Sequence, residues 1–172
     1  MSIKIVDVKD ISKSHDGVNS VIKTFSPEDR HMLGMKKSEH TYLSPKQYKY
    51  ITKRFVLEDD GKIVGFFDIL ADGEPMYGNI TFGLAPWARG KGYGYKLAKA
   101  ASDWIDQHIK EFDNVQWSVL EENKPSIAIA RKLGWIRMKS RDETRSTGHY
   151  IAFVKSPKLK SVKETFDSIK LK

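Results

Sequence analysis

The strongest indication of the fold of this 172-residue chain is the segment Pro86-Trp87-Ala88-Arg89-Gly90-Lys91-Gly92-Tyr93-Gly94. An apolar strand pattern precedes it, and a strongly amphipathic helix pattern follows it at once. Its three glycines stand at alternate positions, and glycine permits backbone conformations in which successive N–H groups turn inward. The free N–H groups and positive dipole end of the following helix favour negative charge at the same place. The turn is therefore predicted to bind an anion, which we interpret as the pyrophosphate of a nucleotide-containing cofactor.

The spacing of these glycines discriminates between cofactors. The dinucleotide-binding fingerprint is G-x-G-x-x-G, whereas Gly90, Gly92 and Gly94 stand one residue too close together. The ATP-binding loop requires Ser or Thr directly after Gly-Lys, but Gly92 follows Lys91. A nicotinamide-dependent oxidoreductase and a magnesium–ATP site are both disfavoured.

Two motifs resemble those of one enzyme family. The pattern Arg89-x-x-Gly92-x-Gly94, with Pro86 before it, resembles the acyl-CoA-binding signature of the GCN5-related N-acetyltransferase (GNAT) superfamily. The stretch 123–135 opens with Asn-Lys-Pro-Ser and closes with Lys-Leu-Gly-Trp, and it resembles the second cofactor segment of that family. The resemblance is specific from Tyr77 to Trp135.

The resemblance implies a single-domain fold of the α/β (α+β) class over residues 1–156. It implies a mixed central sheet of about six to seven strands, flanked by helices, in which two strands splay at the acyl-CoA site. Residues 157–172 are predicted to form a basic C-terminal helix or tail. Apolar periodicity predicts strands at 3–8, 51–58, 62–70, 77–84, 115–120, 136–140 and 149–155. Helices are predicted over 11–25, after Ser26, after the glycine segment, and from Asn123 to Leu133.

The resemblance assigns the acyl donor, acetyl-CoA, to named residues. The strand end Phe82-Gly83-Leu84 is expected to contact the pantetheine arm, and the Leu84 backbone N–H to polarise the thioester carbonyl. Gly83 is expected to support a β-bulge, or otherwise to fit beneath a bulky neighbour.

The same resemblance assigns the cofactor phosphates to the glycine segment. Arg89 and Lys91 are expected to offset the phosphate charge, while backbone N–H groups of Gly90, Lys91, Gly92, Tyr93 and Gly94 bind the pyrophosphate. Asn123 either bonds the cofactor or caps its helix. Ser126 either contacts the cofactor or bonds the backbone.

The catalytic groups depart from the common family pattern. Many members carry a tyrosine that protonates the leaving thiolate, but here that position is Ala130. This departure resembles the branch that acts on ribosomal-protein N-termini and some antibiotics. Tyr150 and Tyr77 are candidate replacements. Asp68 lies in an apolar run, where burial raises a carboxyl pKa towards neutrality, so it is a candidate base. The alternative is a strand-edge aspartate that faces water.

The early helices are expected to flank the acceptor, as they do in the family. Four aromatic side chains there either line the acceptor site or pack in the core: His31, Tyr42, Tyr48 and Tyr50.

Composition limits the chemistry further. The chain has no cysteine, which excludes disulfides, thiolate metal sites and an acyl-cysteine intermediate. Its five histidines show no metal-ligand spacing, so no metal is predicted. Without a signal-peptide pattern or a membrane-length apolar run, we expect a cytoplasmic protein with no membrane partner, as a monomer or homodimer. The net charge of +8 attracts polyanions, so nucleic acid stays open as a partner beside a purely solubilising role.

The predicted function is direct transfer of an acetyl group from acetyl-CoA to a primary amine of a small molecule or protein. Two alternatives stay open. One is an enzyme of the same fold that modifies a nucleic-acid base, and the other is a catalytically inactive acyl-CoA-binding module.

Overall fold

The computed structural model describes residues 1–39, 41–74 and 76–159 of the chain. These residues form one mixed sheet of eight strands with four α-helices around it. The strands are β1 (Ser2–Val6), β2 (Ile51–Asp59), β3 (Lys62–Asp72), β4 (Met76–Leu84), β5 (Phe112–Leu120), β6 (Ile136–Arg137), β7 (Glu143–Arg145) and β8 (Gly148–Lys155). The helices are α1 (Ile11–Lys23), α2 (Pro27–Met32), α3 (Tyr93–Gln107) and α4 (Lys124–Lys132).

The strand order is β1-β2-β3-β4-β5-β8-β6, with β7 paired to β8. All neighbouring pairs are antiparallel except β4 and β5, which run parallel. This is the predicted mixed sheet, and the predicted fold class is confirmed. The predicted helix or tail at 157–172 lies almost entirely outside the described residues.

The β2–β3 hairpin shows why local sequence specifies this sheet. Its turn places Asp60 at φ 48° and Gly61 at φ 74°. Two successive positive φ values define the tight turn that matches the twist of antiparallel strands, and Asp-Gly is a preferred pair for it. Strands were predicted over 51–58 and 62–70, and the structure has them at Ile51–Asp59 and Lys62–Asp72.

The core lies on both faces of the sheet. On one face, α3 packs fully buried Leu97, Ala101 and Ile105 against Phe67 of β3. On the other face, α1 packs Val18, Val21 and Ile22 against Phe66, which precedes Phe67 in the same strand. Adjacent strand residues point to opposite faces, so one strand serves both layers.

One predicted strand is shorter than expected, and one strand was not predicted. The strand expected over 136–140 ends at Arg137, and a 3₁₀ turn occupies Lys139–Arg141. Strand β7 was missed, which brings the sheet to eight strands rather than six or seven. All three β7 residues are exposed, so the sequence there has no apolar alternation to indicate a strand.

The central parallel pair separates part of the way along, as predicted. β4 and β5 pair only from Met76 to Asn79 on the β4 side, with Phe112 to Gln116 opposite. A Cβ built at Gly78 would lie 3.2 Å from a Val115 methyl, so the missing side chain permits the close approach at this end. Beyond Asn79, β4 pairs only with β3, and the corresponding part of β5 pairs only with β8. A crevice therefore opens within the sheet.

Candidate active site

The open crevice exposes backbone groups of β4. In an antiparallel ladder only alternate residues exchange hydrogen bonds with the neighbouring strand. The Ala85 N–H donates to the Val64 carbonyl at 2.8 Å, and the β3–β4 register continues without a shift. By this alternation Gly83 bonds to β3, whereas the N–H groups of Phe82 and Leu84 face the side where β5 has departed. The predicted pantetheine strand therefore presents free donors to the crevice.

Gly83 does not form the predicted bulge. The β3–β4 ladder runs through it one residue against one, with Phe66 opposite Gly83. A Cβ built there would lie 3.1 Å from Cζ of Phe25 and 3.5 Å from a Leu33 methyl. Glycine is needed because these side chains crowd the strand, which is the alternative that the sequence left open.

The glycine segment forms a turn of left-handed residues at the start of α3. Gly90 has φ 73° and Gly92 has φ 83°, values that favour glycine. Among the described residues, no atom lies within 4 Å of a Cβ built at either position, so the turn faces open space. Gly92 is the N-cap of α3, and no side chain caps the helix. The first N–H groups of α3 are thus free of a capping side chain, as a phosphate site requires.

Arg89 is held by contacts within the protein. Its Nε donates to the Leu84 carbonyl at 3.0 Å, and one of its terminal nitrogens pairs with Asp29 Oδ1 at 2.9 Å. Its guanidinium also lies 5.0 Å above the Phe25 ring. Partial burial raises the pKa of Asp29, but Arg89 and the Ser26 N–H outweigh it and hold that pKa below its ordinary value. Lys91, in contrast, is exposed at the tip of the turn.

The second motif supplies the opposite wall of the crevice. Asn123 Oδ1 accepts a hydrogen bond of 3.4 Å from the Ser126 N–H, so Asn123 caps α4. Both residues line the crevice beside Phe82 and Leu84. Ala130 is fully buried in the main core and lines neither cavity described below.

Two cavities share lining residues at the end of α2. The first has a volume of about 620 Å³ and follows the crevice from the glycine turn to the end of β4. It is lined by nine of the predicted cofactor residues: Phe82, Gly83, Leu84, Arg89, Gly90, Gly92, Gly94, Asn123 and Ser126. Lys91 and Tyr93 do not line it. The second cavity, of about 710 Å³, shares Met32 and Leu33 with the first. Occupants of the two cavities would therefore contact the same two side chains.

Asp68 lines neither cavity. It is fully buried, and its two oxygens accept hydrogen bonds from Nε and a terminal nitrogen of Arg54, each at 2.7 Å. Burial raises the pKa of Asp68, as expected, with the Arg54 pair acting in the opposite direction. The alternative of a water-facing strand-edge aspartate is wrong. An acceptor amine in either cavity would not touch this carboxylate, so we do not assign it the role of base.

Of the other candidate tyrosines, only Tyr150 and Tyr42 line either cavity. Tyr150 lines the second cavity, and its hydroxyl lies 2.6 Å from that of Thr147. Tyr42 lines the same cavity. Tyr48 packs at 4.1 Å against the His15 ring and lines neither cavity. Tyr77 is 54% exposed at the closed end of β4, far along the strand from the crevice.

His31 reaches the far wall of the crevice. Its Nε2 lies 3.2 Å from Oε1 of Glu122, which follows β5. The backbone at Glu122 and the His31 ring hold the pKa of Glu122 below its usual range. Since Asp29 pairs with Arg89 on the other wall, α2 is connected to both sides of the crevice.

Several residues that line the second cavity were missed. Asn79 and Thr81 alternate with Ile80 and Phe82 along β4, so the polar face of this strand was visible in the sequence. Ser118 of β5 was also missed. The cavity joins segments far apart in the chain, and no local pattern indicates that they meet.

A sheet that splays beside a glycine turn at a helix N-terminus is the architecture that the resemblance predicted for an N-acetyltransferase. The model of the Acetyltransferase (GNAT) family matches residues 19–135, more than half of the chain. The protein therefore belongs to this family of acetyltransferases. A search of curated proteins found no match.

Solved structures share the fold. A GNAT-family acetyltransferase from Streptococcus pneumoniae has a TM-score of 0.67 at 16% identity, covering 90% of this chain and 98% of its own. The ribosomal-protein-S5-alanine acetyltransferase from Vibrio fischeri has a TM-score of 0.62 at 15% identity, with 90% and 91% covered. The spermidine N-acetyltransferase from Vibrio cholerae, solved with CoA and spermine, has a TM-score of 0.61 at 15% identity, with 90% and 94% covered. At these identities the likeness establishes the fold.

Two further observations concern the described residues alone. They contain no group of three or more His, Cys, Asp or Glu side chains that could hold a metal ion. Nor is any of their helices long and apolar enough to span a membrane.

Proposed function

We propose that the protein transfers an acetyl group directly from acetyl-CoA to a primary amine of a small molecule or protein. The observation that carries this proposal is that the two cavities share Met32 and Leu33 as lining residues. A donor in the crevice and an acceptor in the second cavity can meet there without a covalent enzyme intermediate. Neighbours solved with CoA, including an aminoglycoside acetyltransferase and the spermidine enzyme, support this assignment of the donor.

The residues of the first cavity suit each part of acetyl-CoA. The pyrophosphate would accept hydrogen bonds from N–H groups at the start of α3, where the helix dipole also favours negative charge. The Phe82 and Leu84 N–H groups would bond the pantetheine arm as a further strand would. Because Asp29 neutralises Arg89, we assign the balancing side-chain charge at the phosphates to Lys91.

The transfer step uses groups from both cavities. The amine nitrogen attacks the thioester carbonyl carbon, and the developing oxyanion accepts a hydrogen bond from the Leu84 N–H. The C–S bond then breaks, the new amide nitrogen loses a proton, and the leaving sulfur gains one. We assign the proton donor to the Tyr150 hydroxyl, since it lines the acceptor cavity and Ala130 supplies no donor. Because the proposed donor is an acyl-CoA, we also propose that the reaction takes place in the cytoplasm.

Two measurements test the proposal in order. Acetyl-CoA should raise the unfolding temperature, whereas NADH and ATP at equal concentration should not. Thiol release from acetyl-CoA should then depend on an added amine. No stabilisation by acetyl-CoA would refute the donor site.

Stabilisation without thiol release on any amine would instead favour an inactive acyl-CoA-binding module. That alternative is motivated by Ala130, since a buried methyl replaces the usual proton donor.

A further inference from the structure

Two side chains of opposite charge line the second cavity. They are Glu39 and Arg145, and among the described residues of the lining no other side chain is ionic. The polar groups that β4 and β5 contribute are neutral, namely Asn79, Thr81 and Ser118. Complementary charge governs which ligands such a surface accepts. A ligand with one positive and one negative group therefore matches this lining better than a polycation does.

Arg145 reaches the cavity from the short edge strand β7. In the pairing of β7 with β8, Glu143 lies opposite Tyr150, and Arg145 lies two residues further along the same face. The Arg145 guanidinium lies 4.3 Å from the centre of the Tyr150 ring, and this cation–π contact orients it. Tyr150 therefore carries the guanidinium over its ring and, at its tip, the hydroxyl that we assign as proton donor.

The ionic partner of Arg145 within the protein is easily replaced. Among the described residues this partner is Glu143, whose Oε1 accepts a hydrogen bond of 2.7 Å from the Arg145 Nε. The two side chains are 45% and 46% exposed, and an ion pair so accessible to water contributes little to stability. A ligand carboxylate can take the place of Glu143 at small cost, because a guanidinium binds a carboxylate through two parallel hydrogen bonds.

The contact with Tyr150 also limits the spacing of the two groups in the acceptor. The amine must reach the thioester where the Tyr150 hydroxyl can protonate the departing sulfur. The carboxylate must reach the guanidinium, which lies over the ring of the same tyrosine. The two groups of the acceptor are therefore only a few bonds apart, as they are in an amino acid.

We propose that the acceptor is a small amino acid, whose carboxylate binds Arg145 while its amine receives the acetyl group. The inference rests on the proposed function and deepens it, because it selects one substrate class among primary amines. The ammonium group of this zwitterion loses one proton to water before it attacks the thioester. The transfer leaves the carboxylate unchanged, and the products are the N-acetylated acid and the free thiol of CoA.

Acceptors that differ only in the carboxylate test the substrate class. Glycine, L-leucine, β-alanine and 4-aminobutanoate each have a matched amide, in which a neutral group replaces the anion. Thiol release at saturating acetyl-CoA gives kcat/KM, expressed per neutral amine because the carboxylate also raises the pKa of the amine. We expect at least one acid to exceed its amide about tenfold, the equivalent of one charge-assisted hydrogen bond. An amide equal to or better than its acid in every pair would overturn the inference, and would favour a peptide N-terminus as acceptor.

The variant Arg145→Gln tests the guanidinium itself. We expect the ratio of kcat/KM for the preferred acid to that for its amide to fall about tenfold, while the KM for acetyl-CoA stays unchanged. Comparing this ratio between two proteins cancels the difference in amine pKa. Arg145→Lys should keep part of the preference, because lysine retains the charge without the planar pair of donors. An unchanged ratio in Arg145→Gln would overturn the inference.

The matched control is Arg141→Gln. It removes an equal charge four residues away, from an exposed side chain that lines neither cavity. The preference for the acid should therefore persist in this variant. Loss of the preference in Arg141→Gln as well would show that net charge, rather than a bound carboxylate, sets it, and would overturn the inference.

The variant Glu143→Gln gives a prediction of the opposite sign. It removes the carboxylate that competes with the substrate for Arg145, so the KM for the acid should fall about twofold to fivefold. The KM for the amide should stay unchanged, because the amide does not use this charge. A purely structural role for the pair predicts equal changes for the acid and the amide, and that result would overturn the inference.

Binding decides the case where turnover is absent. The preferred acid should raise the unfolding temperature of the protein–CoA complex more than its amide does, and Arg145→Gln should remove this difference. If no acid of the panel reacts or binds to this complex, the inference fails, while stabilisation by acetyl-CoA alone leaves the donor site intact. If acetyl-CoA itself does not stabilise the protein, the proposed function fails instead.

Discussion

Replacing Gly83 by valine gives the sharpest test of the crevice. A Cβ at Gly83 would lie 3.1 Å from Phe25, and the two further carbons of valine would enter the cavity that we assign to pantetheine. Overpacking of this kind costs about 1–3 kcal/mol of folding stability. The same strand offers a matched control in Gly78→Val, where the added Cβ would lie 3.2 Å from Val115 at the closed end. Both variants should therefore lose a similar amount of folding free energy.

Only the change at the crevice should weaken the donor. At a concentration one hundred times its Kd, acetyl-CoA should stabilise the wild type by about 2.7 kcal/mol. A tenfold weaker Kd in Gly83→Val would reduce this gain to about 1.4 kcal/mol, whereas Gly78→Val should keep the full value. Urea unfolding with and without acetyl-CoA measures both gains. Equal gains in the two variants would refute the placement of pantetheine beside Gly83.

Three further outcomes follow from the site and its supports. The variant Arg54→Met should lose about 3–5 kcal/mol of folding stability in urea unfolding, because it leaves Asp68 buried without its partner. The double variant Arg54→Met with Asp68→Leu should recover most of that loss. A double variant no more stable than the single variant would contradict this reasoning. The variant Tyr150→Phe should lower kcat and leave the KM for acetyl-CoA unchanged, as measured by steady-state thiol release. An unchanged kcat would show that Tyr150 is not the proton donor. The Arg137 pair lowers the pKa of Asp142, so the stability from this carboxylate is present above its ordinary pKa of 3.8 and is lost as the pH falls through the lowered value. Asp142→Asn should flatten that part of the stability–pH curve, and a curve identical to the wild type would refute the pairing.

The features predicted correctly are those that local chemistry determines. Asp60 and Gly61 specify a hairpin because their positive φ values suit few other residues. Gly90 and Gly92 specify the left-handed turn before α3 for the same reason. Ser26 begins α2 through a capping box with Asp29 that the sequence displays directly.

The splay between β4 and β5 could be predicted only from the family resemblance. Both strands have ordinary apolar patterns, and nothing in either pattern says where their pairing stops. That boundary depends on the layers packed above and below the sheet, which a single sequence does not show.

A shift of one residue in the pairing of β2 with β3 determines which residue lies opposite Asp68. An unbroken ladder from the Asp60-Gly61 turn would place Arg54 opposite Phe67. The register shift between Leu57 and Glu58 moves Arg54 opposite Asp68 instead. Burial of Asp68 could be predicted from its apolar neighbours, but its ion pair depends on this bulge, which no sequence signal indicated. A buried carboxylate was therefore a sound expectation, and a catalytic base was not.

The contacts of Arg89 bear on how the protein holds an anion. This arginine stands first in the motif, yet it connects the Leu84 carbonyl to Asp29, and so it fixes the end of β4 to the start of α2. A carboxylate so close to the glycine turn would repel phosphate if side-chain charge were the main attraction. Backbone N–H groups avoid this conflict, because their dipoles are fixed by the turn and need no free arginine. We therefore propose that the spacing of the glycines, rather than the charge of Arg89, accounts for the recognition of the pyrophosphate. In this proposal Arg89 positions the walls of the crevice that holds the thioester.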